Sequence, residues 1–199
     1  TVLGDNQYFG GLPGNKRLGE FNFHEVGLVY DNVLEAGLKP FVELSFMPSR
    51  LAKNKKIGFK NNRYNNCICL PKDFFMWERM IREFVEFLID RYGKDEVESW
   101  PFEVWNEPDL GGFFHGKQKD YFKLYQHTVT AIKAVDPLIK VGGPSTSACR
   151  WIDEFVTFCE TNYVPYDFIS THHYPGDGYG NNFTIKDALK MMALSKQLS

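Results

Sequence analysis

Two adjacent polar residues, Asn106 and Glu107, stand where a strand pattern breaks. Residues 102–104 alternate between apolar and polar side chains, and Pro108 has no backbone N–H with which to continue a sheet ladder. A carboxyl group beside an amide suits one task well, because Glu107 can donate a proton to a leaving oxygen while Asn106 holds a neighbouring hydroxyl group. The alternative is a surface glutamate before a proline turn, but the preceding Phe-Glu-Val-Trp favours the functional interpretation.

The elements that would position this pair alternate between helix and strand. Helical spacing of apolar residues predicts helices near residues 26–37, 77–93, 121–136, 151–159 and 184–197, and apolar runs predict strands near residues 41–46, 102–105, 139–142 and 166–171. Such alternation predicts parallel strands with right-handed crossovers, in which the carboxyl ends of the strands tend to carry the chemistry. A flavodoxin-like open sheet fits the alternation as well, although no strand is followed by a Gly-rich phosphate loop.

Two segments fall outside this alternation. Residues 1–22 are rich in Gly, Asn and Asp, which predicts a loop. Residues 49–73 form a long polar segment with clusters of Lys and Asn. Its length predicts a functional or mobile insertion, because simple connectors are much shorter.

The composition excludes several classes of function. The chain has 199 residues, of which 43% are hydrophobic and 24% charged, as is usual for a globular domain, and its net charge is −2. Without a basic block, neither a nucleic-acid partner nor an anionic membrane surface is predicted, and no apolar run approaches the roughly 18 residues that span a bilayer. No cofactor motif is present. The four cysteines lack zinc-site spacing and are predicted to be free thiols: Cys67, Cys69, Cys149 and Cys159.

Four stretches together resemble one enzyme family. They are KPFVELSFMP at residues 39–48, FEVWNEPDL at 102–110, VGGP at 141–144 and STHHYP at 170–175. In this order they resemble glycoside hydrolase family 39, the family of β-xylosidases and α-L-iduronidases. The similarity runs through most of the chain.

The resemblance implies an α/β fold that is part of a (β/α)8 TIM barrel, comprising about strands 3 to 6 with their helices. A closed barrel needs eight strands and usually about 250 residues, whereas four strands are counted here. Residues 1–199 are therefore expected to form a partial catalytic domain, truncated at both ends. The nucleophile of the family, a glutamate at the end of strand seven, would lie beyond Ser199.

The same resemblance implies roles for five residues. Glu107 would be the general acid/base, and Asn106 would bond the 2-hydroxyl group of the sugar, an interaction that strengthens in the transition state. His172 and Tyr174, which alternate along one strand face, would line the subsite of the nonreducing sugar. Phe113 would supply an aromatic wall. The paired histidines at 172–173 lack a third ligand at metal-site spacing, so no metal site is predicted.

Several neighbouring residues receive structural interpretations. Glu43 and Glu103 are predicted to be buried carboxylates held by Arg, His or backbone donors rather than substitute nucleophiles. Phe46, Trp77 and Trp105 are predicted to belong to the core. The aspartate at position 109 departs from the Asn that is frequent in β-xylosidases, whereas the pair of phenylalanines at 113–114 favours that side of the family.

The resemblance implies a retaining glycoside hydrolase, an exo-acting β-xylosidase that releases xylose from xylo-oligosaccharides. The expected partner is therefore a carbohydrate substrate such as a β-xyloside. An α-L-iduronidase-like glycosidase is one alternative, and a non-catalytic sugar-binding or inactive barrel fragment is another. Sugar specificity, compartment and oligomeric state stay open at this point.

Overall fold

The protein is described here by a computed structural model that covers residues 21–58 and 67–174. In chain order its elements are α1 (His24–Glu35), β1 (Val42–Leu44), α2 (Phe74–Tyr92), α3 (Lys94–Glu98), β2 (Pro101–Val104), α4 (Gln118–Val135), β3 (Lys140–Ser147), α5 (Ile152–Asn162) and β4 (Phe168–His172). Four of the predicted helices and all four predicted strands are confirmed. The predicted helix at 184–197 and nearly all of the predicted loop at 1–22 lie outside the described residues.

The helices begin and end at residues with clear local reasons. Helix α2 starts after Asp73, whose side chain accepts a hydrogen bond from the Phe75 N–H at 2.9 Å. It ends at Gly93, whose φ of +85° is easily reached only by glycine. The short helix α3, which the sequence patterns did not predict, follows Gly93 at once. None of the described helices is both long and apolar enough to cross a membrane.

The four strands form one parallel sheet in the order β1-β2-β3-β4. Each strand thus lies beside the next along the chain, as in a barrel, whereas a flavodoxin-like sheet changes direction after its first strands. Strand β3 runs to Ser147, five residues beyond its predicted end at 142. Gly142 is needed within the strand because a Cβ there would overlap the Phe168 ring.

The sheet is curved so that its two outer strands approach each other on one side. The ring of Phe41, just before β1, lies 5.9 Å from the ring of Phe168, the first residue of β4, in an edge-to-face contact. Neighbouring strands are about 4.8 Å apart, so a flat sheet would separate β1 and β4 by about 14 Å. The two side chains bridge part of this distance, and the ring contact fits a sheet that curves as a barrel wall does.

The core lies mainly between the sheet and the helices. Trp77 and Trp105 are fully buried and Phe46 is 7% exposed, which confirms their predicted place in the core. Helices α2 and α4 meet through a buried hydrogen bond from Trp77 Nε1 to Thr128 Oγ1 at 2.9 Å. The Thr128 hydroxyl in turn donates to the carbonyl oxygen of Leu124 at 2.7 Å, so the buried polar groups of this contact are paired.

The described parts of the segment predicted as an insertion pack onto the core through a few apolar residues, whereas residues 53–56 are exposed. Met47 and Cys67 form an antiparallel bridge with reciprocal backbone hydrogen bonds of 3.0 Å, and Ala52 pairs with Pro71. Leu51, Ala52, Cys67, Ile68 and Cys69 are buried. The described parts of residues 49–73 are therefore an ordered excursion after β1 with apolar anchors of its own.

Candidate active site

Glu107 lies directly beyond the carboxyl end of β2 and is 8% exposed. Its N–H donates to the Ser145 carbonyl oxygen at 2.9 Å, and the Ser145 hydroxyl lies 3.1 and 3.0 Å from the carbonyl oxygens of Val104 and Trp105. Trp105, Glu107 and Ser145 have φ values of 73°, 45° and 52°, a left-handed conformation that costs of the order of 1–3 kcal/mol for a non-glycine residue. The bonds to β3 hold Glu107 in this conformation and so direct its side chain.

The imidazole ring of His172 lies between two carboxylates. Its Nε2 is 3.4 Å from Glu103 Oε2, and its Nδ1 is 3.4 Å from Glu107 Oε1. Glu103 is a residue of β2, and His172 is the last residue of β4, which pairs with the end of β3 at Ser147. Parallel register across three strands therefore brings together side chains that are distant in the sequence.

The surrounding carboxylates favour the charged form of this ring. Glu103 raises the pKa of His172 most, burial opposes this shift, and the charges of Glu107 and Glu43 add to it. The prediction that Glu103 is a buried carboxylate held by a histidine is confirmed. Glu43, for which the same was expected, is half-buried on β1 and accepts a hydrogen bond from Ser45 Oγ at 2.6 Å.

Asp109 ties the loop after β2 to the end of β3. The side chain is 1% exposed and accepts hydrogen bonds from the Ser147 N–H at 2.8 Å and the Ser147 hydroxyl at 2.6 Å, and Arg150 Nη1 lies 3.2 Å away. The sequence patterns did not predict this role. The available signal was an acidic residue two positions after Glu107, together with a β3 end rich in hydroxyl groups.

An aromatic cluster stands beside this loop. The Phe113 ring stacks on Phe46 with centroids 6.3 Å apart and an interplanar angle of 18°, and the Trp105 ring packs edge-on against Phe46 at 5.6 Å. Trp105 Nε1 donates to the Phe113 carbonyl oxygen at 3.0 Å. The half-buried Phe113 is thus fixed from both its ring and its backbone, as a rigid wall requires.

The other two predicted site residues lie at the same edge of the sheet. Asn106 is half-buried between Trp105 and Glu107. Tyr174 is 62% exposed and lies two residues beyond the end of β4, so the expected alternation of His172 and Tyr174 along a strand is wrong. The structure therefore brings Glu107 and His172 into direct contact, whereas Tyr174 stands further out.

Proton transfer is the chemistry that this arrangement supports. A largely buried carboxyl group at a strand end, beside an imidazole, can hold a proton and release it to a bound molecule. Within residues 21–58 and 67–174, no group of three or more His, Cys, Asp or Glu side chains is placed to hold a metal ion. The four cysteines are buried free thiols, as predicted.

Comparisons with known proteins place the chain among glycosyl hydrolases. The model of the family described as Glycosyl hydrolases family 39 matches residues 14–198 of this chain. A β-xylosidase of Caldicellulosiruptor saccharolyticus is 49% identical over 171 residues, covering 85% of this chain and 34% of that protein. A β-xylosidase of Geobacillus stearothermophilus is 40% identical over 157 residues, covering 77% of this chain and 31% of that protein.

The solved structures agree as well. That of a GH39 β-xylosidase from Caulobacter crescentus matches with a TM-score of 0.77 at 34% identity, covering 89% of this chain and 38% of that one. The match confirms the prediction that the curved parallel sheet is part of a (β/α)8 barrel. The chain spans about a third of the length of the curated relatives it matches.

Proposed function

Because the chain belongs to glycosyl hydrolases family 39, we propose that it supplies the acid/base side of a retaining, exo-acting β-xylosidase. Residues 1–199 would be one part of the (β/α)8 catalytic domain. The substrate would be a β-xyloside such as a xylo-oligosaccharide, from which xylose is released. The observation that carries this proposal is Glu107, a largely buried carboxyl group at the carboxyl end of a parallel strand and in contact with His172.

In the proposed reaction Glu107 acts twice. It first protonates the glycosidic oxygen while the nucleophile, expected from strand seven of the complete barrel, forms the glycosyl-enzyme. It then accepts a proton from the water molecule that releases the sugar. The fixed backbone conformation of Glu107 suits both steps. The same carboxyl oxygen must first donate a proton to the leaving group and later accept one from the water molecule.

The surrounding residues would position the sugar. Asn106 would bond the 2-hydroxyl group, and the Phe113 ring, held by Phe46, would form an apolar wall for one sugar face. His172, which contacts Glu107, would line the subsite of the nonreducing sugar. Tyr174, whose side chain is largely exposed, would complete the subsite of the nonreducing sugar.

The test compares leaving groups in the protein as its own source produces it. Glu107→Gln should lower turnover of a β-xyloside with a poor leaving group by about 10²–10⁴-fold, because general acid catalysis contributes about that much. The first step on a 2,4-dinitrophenyl β-xyloside should be largely spared, since that leaving group needs no proton. Azide, which needs no general base, should restore the second step and give a xylosyl azide.

A matched control is Glu154→Gln, the same change at an exposed position of α5, which should leave turnover unchanged. Equal losses on both xylosides, with no rescue by azide, would contradict the acid/base role of Glu107. Preferential hydrolysis of an aryl α-L-iduronide would replace the xylosidase with the iduronidase alternative. Xylose binding without turnover of any glycoside would favour the non-catalytic alternative.

A further inference from the structure

The carboxylate of Glu103 is close to the site but has no place in the reaction just described. Glu103 is 4% exposed, and the imidazole of His172 lies 3.4 Å from one of its oxygens. A carboxylate removed from water is costly unless a charged or hydrogen-bonding partner compensates it. His172 is positioned to be that partner.

The contact between Glu103 and His172 also affects Glu107, because of the geometry of the imidazole ring. An imidazole has two nitrogen atoms on different edges, so a ring held at one of them presents the other in a defined direction. Here the second nitrogen lies 3.4 Å from Glu107 Oε1. Whatever fixes the orientation and charge of His172 therefore acts on the environment of Glu107.

We propose that Glu103 is a positioning residue, which holds the His172 imidazole as a cation against Glu107 and thereby sets the pH range in which Glu107 can act. The catalytic part of this inference rests on the proposed function, whereas the contact itself does not. Three carboxylates act on the ring: Glu103 from β2, Glu107 from the following loop and Glu43 from β1.

A neighbouring strand offers a matched control. Glu43 is the register partner of Glu103 on β1, but the Ser45 hydroxyl donates to it at 2.6 Å. Glu43→Gln and Glu103→Gln therefore remove the same charge from adjacent positions of the sheet. The second removes a carboxylate that lies 3.4 Å from the His172 ring.

The first measurement is the titration of the His172 ring by NMR in the protein as its source produces it, with the signal assigned by its loss in His172→Gln. In the unmodified protein the midpoint should lie above about 6.5, the value of an unperturbed histidine. Glu103→Gln should lower this midpoint, because it removes the close opposite charge that favours the charged ring. Glu43→Gln should lower it by less.

The second measurement is the pH profile of kcat/KM for a β-xyloside. In Glu103→Gln the His172 ring should no longer be held as a cation beside Glu107. Because a nearby cation favours the ionised carboxylate, its loss should move the alkaline limb of the profile to higher pH. The limb should move further in His172→Gln, which leaves the Glu103 charge uncompensated. Structural damage alone would lower the rate at every pH without displacing the limb, so the displacement tests positioning rather than folding.

The outcomes separate this inference from the proposed function. If the protein hydrolyses no glycoside, the proposed function fails and the NMR titration still decides whether Glu103 holds His172 charged. If hydrolysis occurs but Glu103→Gln moves neither the midpoint nor the limb more than Glu43→Gln, the inference is overturned. Should Glu103→Gln not fold, a midpoint at or below about 6.5 in the unmodified protein, or an unmoved limb in His172→Gln, overturns it equally.

Discussion

The interface between α2 and α4 and the carboxyl edge of the sheet both contain buried polar groups, but they are built in opposite ways. At the helix interface the polar groups Trp77 Nε1 and Thr128 Oγ1 are paired within regular helices. At the sheet edge, left-handed non-glycine residues gather in the loops after β2 and at the end of β3: Trp105, Glu107, Ser145, Ala148, Cys149 and Trp151. Carboxylates share that edge with a histidine.

The difference indicates where stability and where chemistry reside. Regular helices with satisfied polar groups place little strain on the chain, so their packing contributes stability directly. Left-handed residues and clustered carboxylates reduce stability and persist because neighbouring strands enforce them. Changes at the helix interface should therefore act mainly on stability, and changes at the sheet edge mainly on activity.

The largest effect is expected at the helix interface. Trp77→Ala should lower the free energy of unfolding by about 3–5 kcal/mol, because it removes a fully buried indole and leaves a cavity between α2 and α4. Phe75→Ala, two residues earlier in α2 at a side chain that is 66% exposed, should cost less than about 0.5 kcal/mol. Chemical denaturation measures both values, and similar losses would contradict the assigned packing.

At the sheet edge, Asp109 offers a more specific test. Asp109→Ala removes the acceptor of both Ser147 bonds and should cost about 1.5–3 kcal/mol of stability. One of the tethers between β3 and the loop that carries Glu107 is then lost, so kcat/KM of the folded fraction should fall further than it does in Trp77→Ala. Asp109→Asn keeps one carbonyl acceptor for the Ser147 N–H and should recover much of the loss, whereas failure of this recovery would argue against the tether.

One substitution made in both regions sharpens the contrast. Ala131 lies in α4 and Ala148 at the sheet edge with a φ of 51°, and both are buried. Ala131→Gly should cost about 1.5–2 kcal/mol, from lost helix propensity and a lost buried methyl group. Ala148→Gly should be close to neutral, because relief of the left-handed strain offsets the lost methyl group. Equal losses in thermal unfolding would mean that the edge is not strained.

The same contrast explains what the sequence could predict. Trp77, Ile81, Phe84 and Leu88 recur at helical spacing, and α2 lies where that pattern placed it. Strand β3 was predicted too short, because the sequence around Gly142 resembles a turn and only the approach of the Phe168 ring explains a glycine within the strand. Local patterns predict regular elements well and underestimate those shaped by tertiary contacts.

The site was predictable to a similar extent. The strand break at Pro108 placed Glu107 at the edge of the sheet, where the structure has it. The contact of His172 with Glu103 and the bonds of Asp109 to Ser147 depend on the register of strands far apart in the sequence. No local pattern contains that register, so these partners became visible only in the folded chain.

The smallest effect expected is a pH dependence of stability that originates at the sheet edge. Because the folded-state pKa of His172 is raised, chiefly by Glu103, its contribution to stability is fully present below the unfolded value of about 6.5. That contribution is lost as the pH rises through the folded-state pKa. The difference in unfolding free energy between the unmodified protein and His172→Gln should therefore shrink above about pH 6.5.

A helix histidine provides the comparison for this measurement. His127 of α4 contacts Glu78 of α2 at 2.5 Å and stacks on the Phe74 ring, and His127→Gln reports any pH dependence that arises in the helix layer. A difference in unfolding free energy between the unmodified protein and His172→Gln that instead stays constant between pH 6 and 9 would mean that packing alone holds the His172 ring. The sheet edge would then resemble the helix interface.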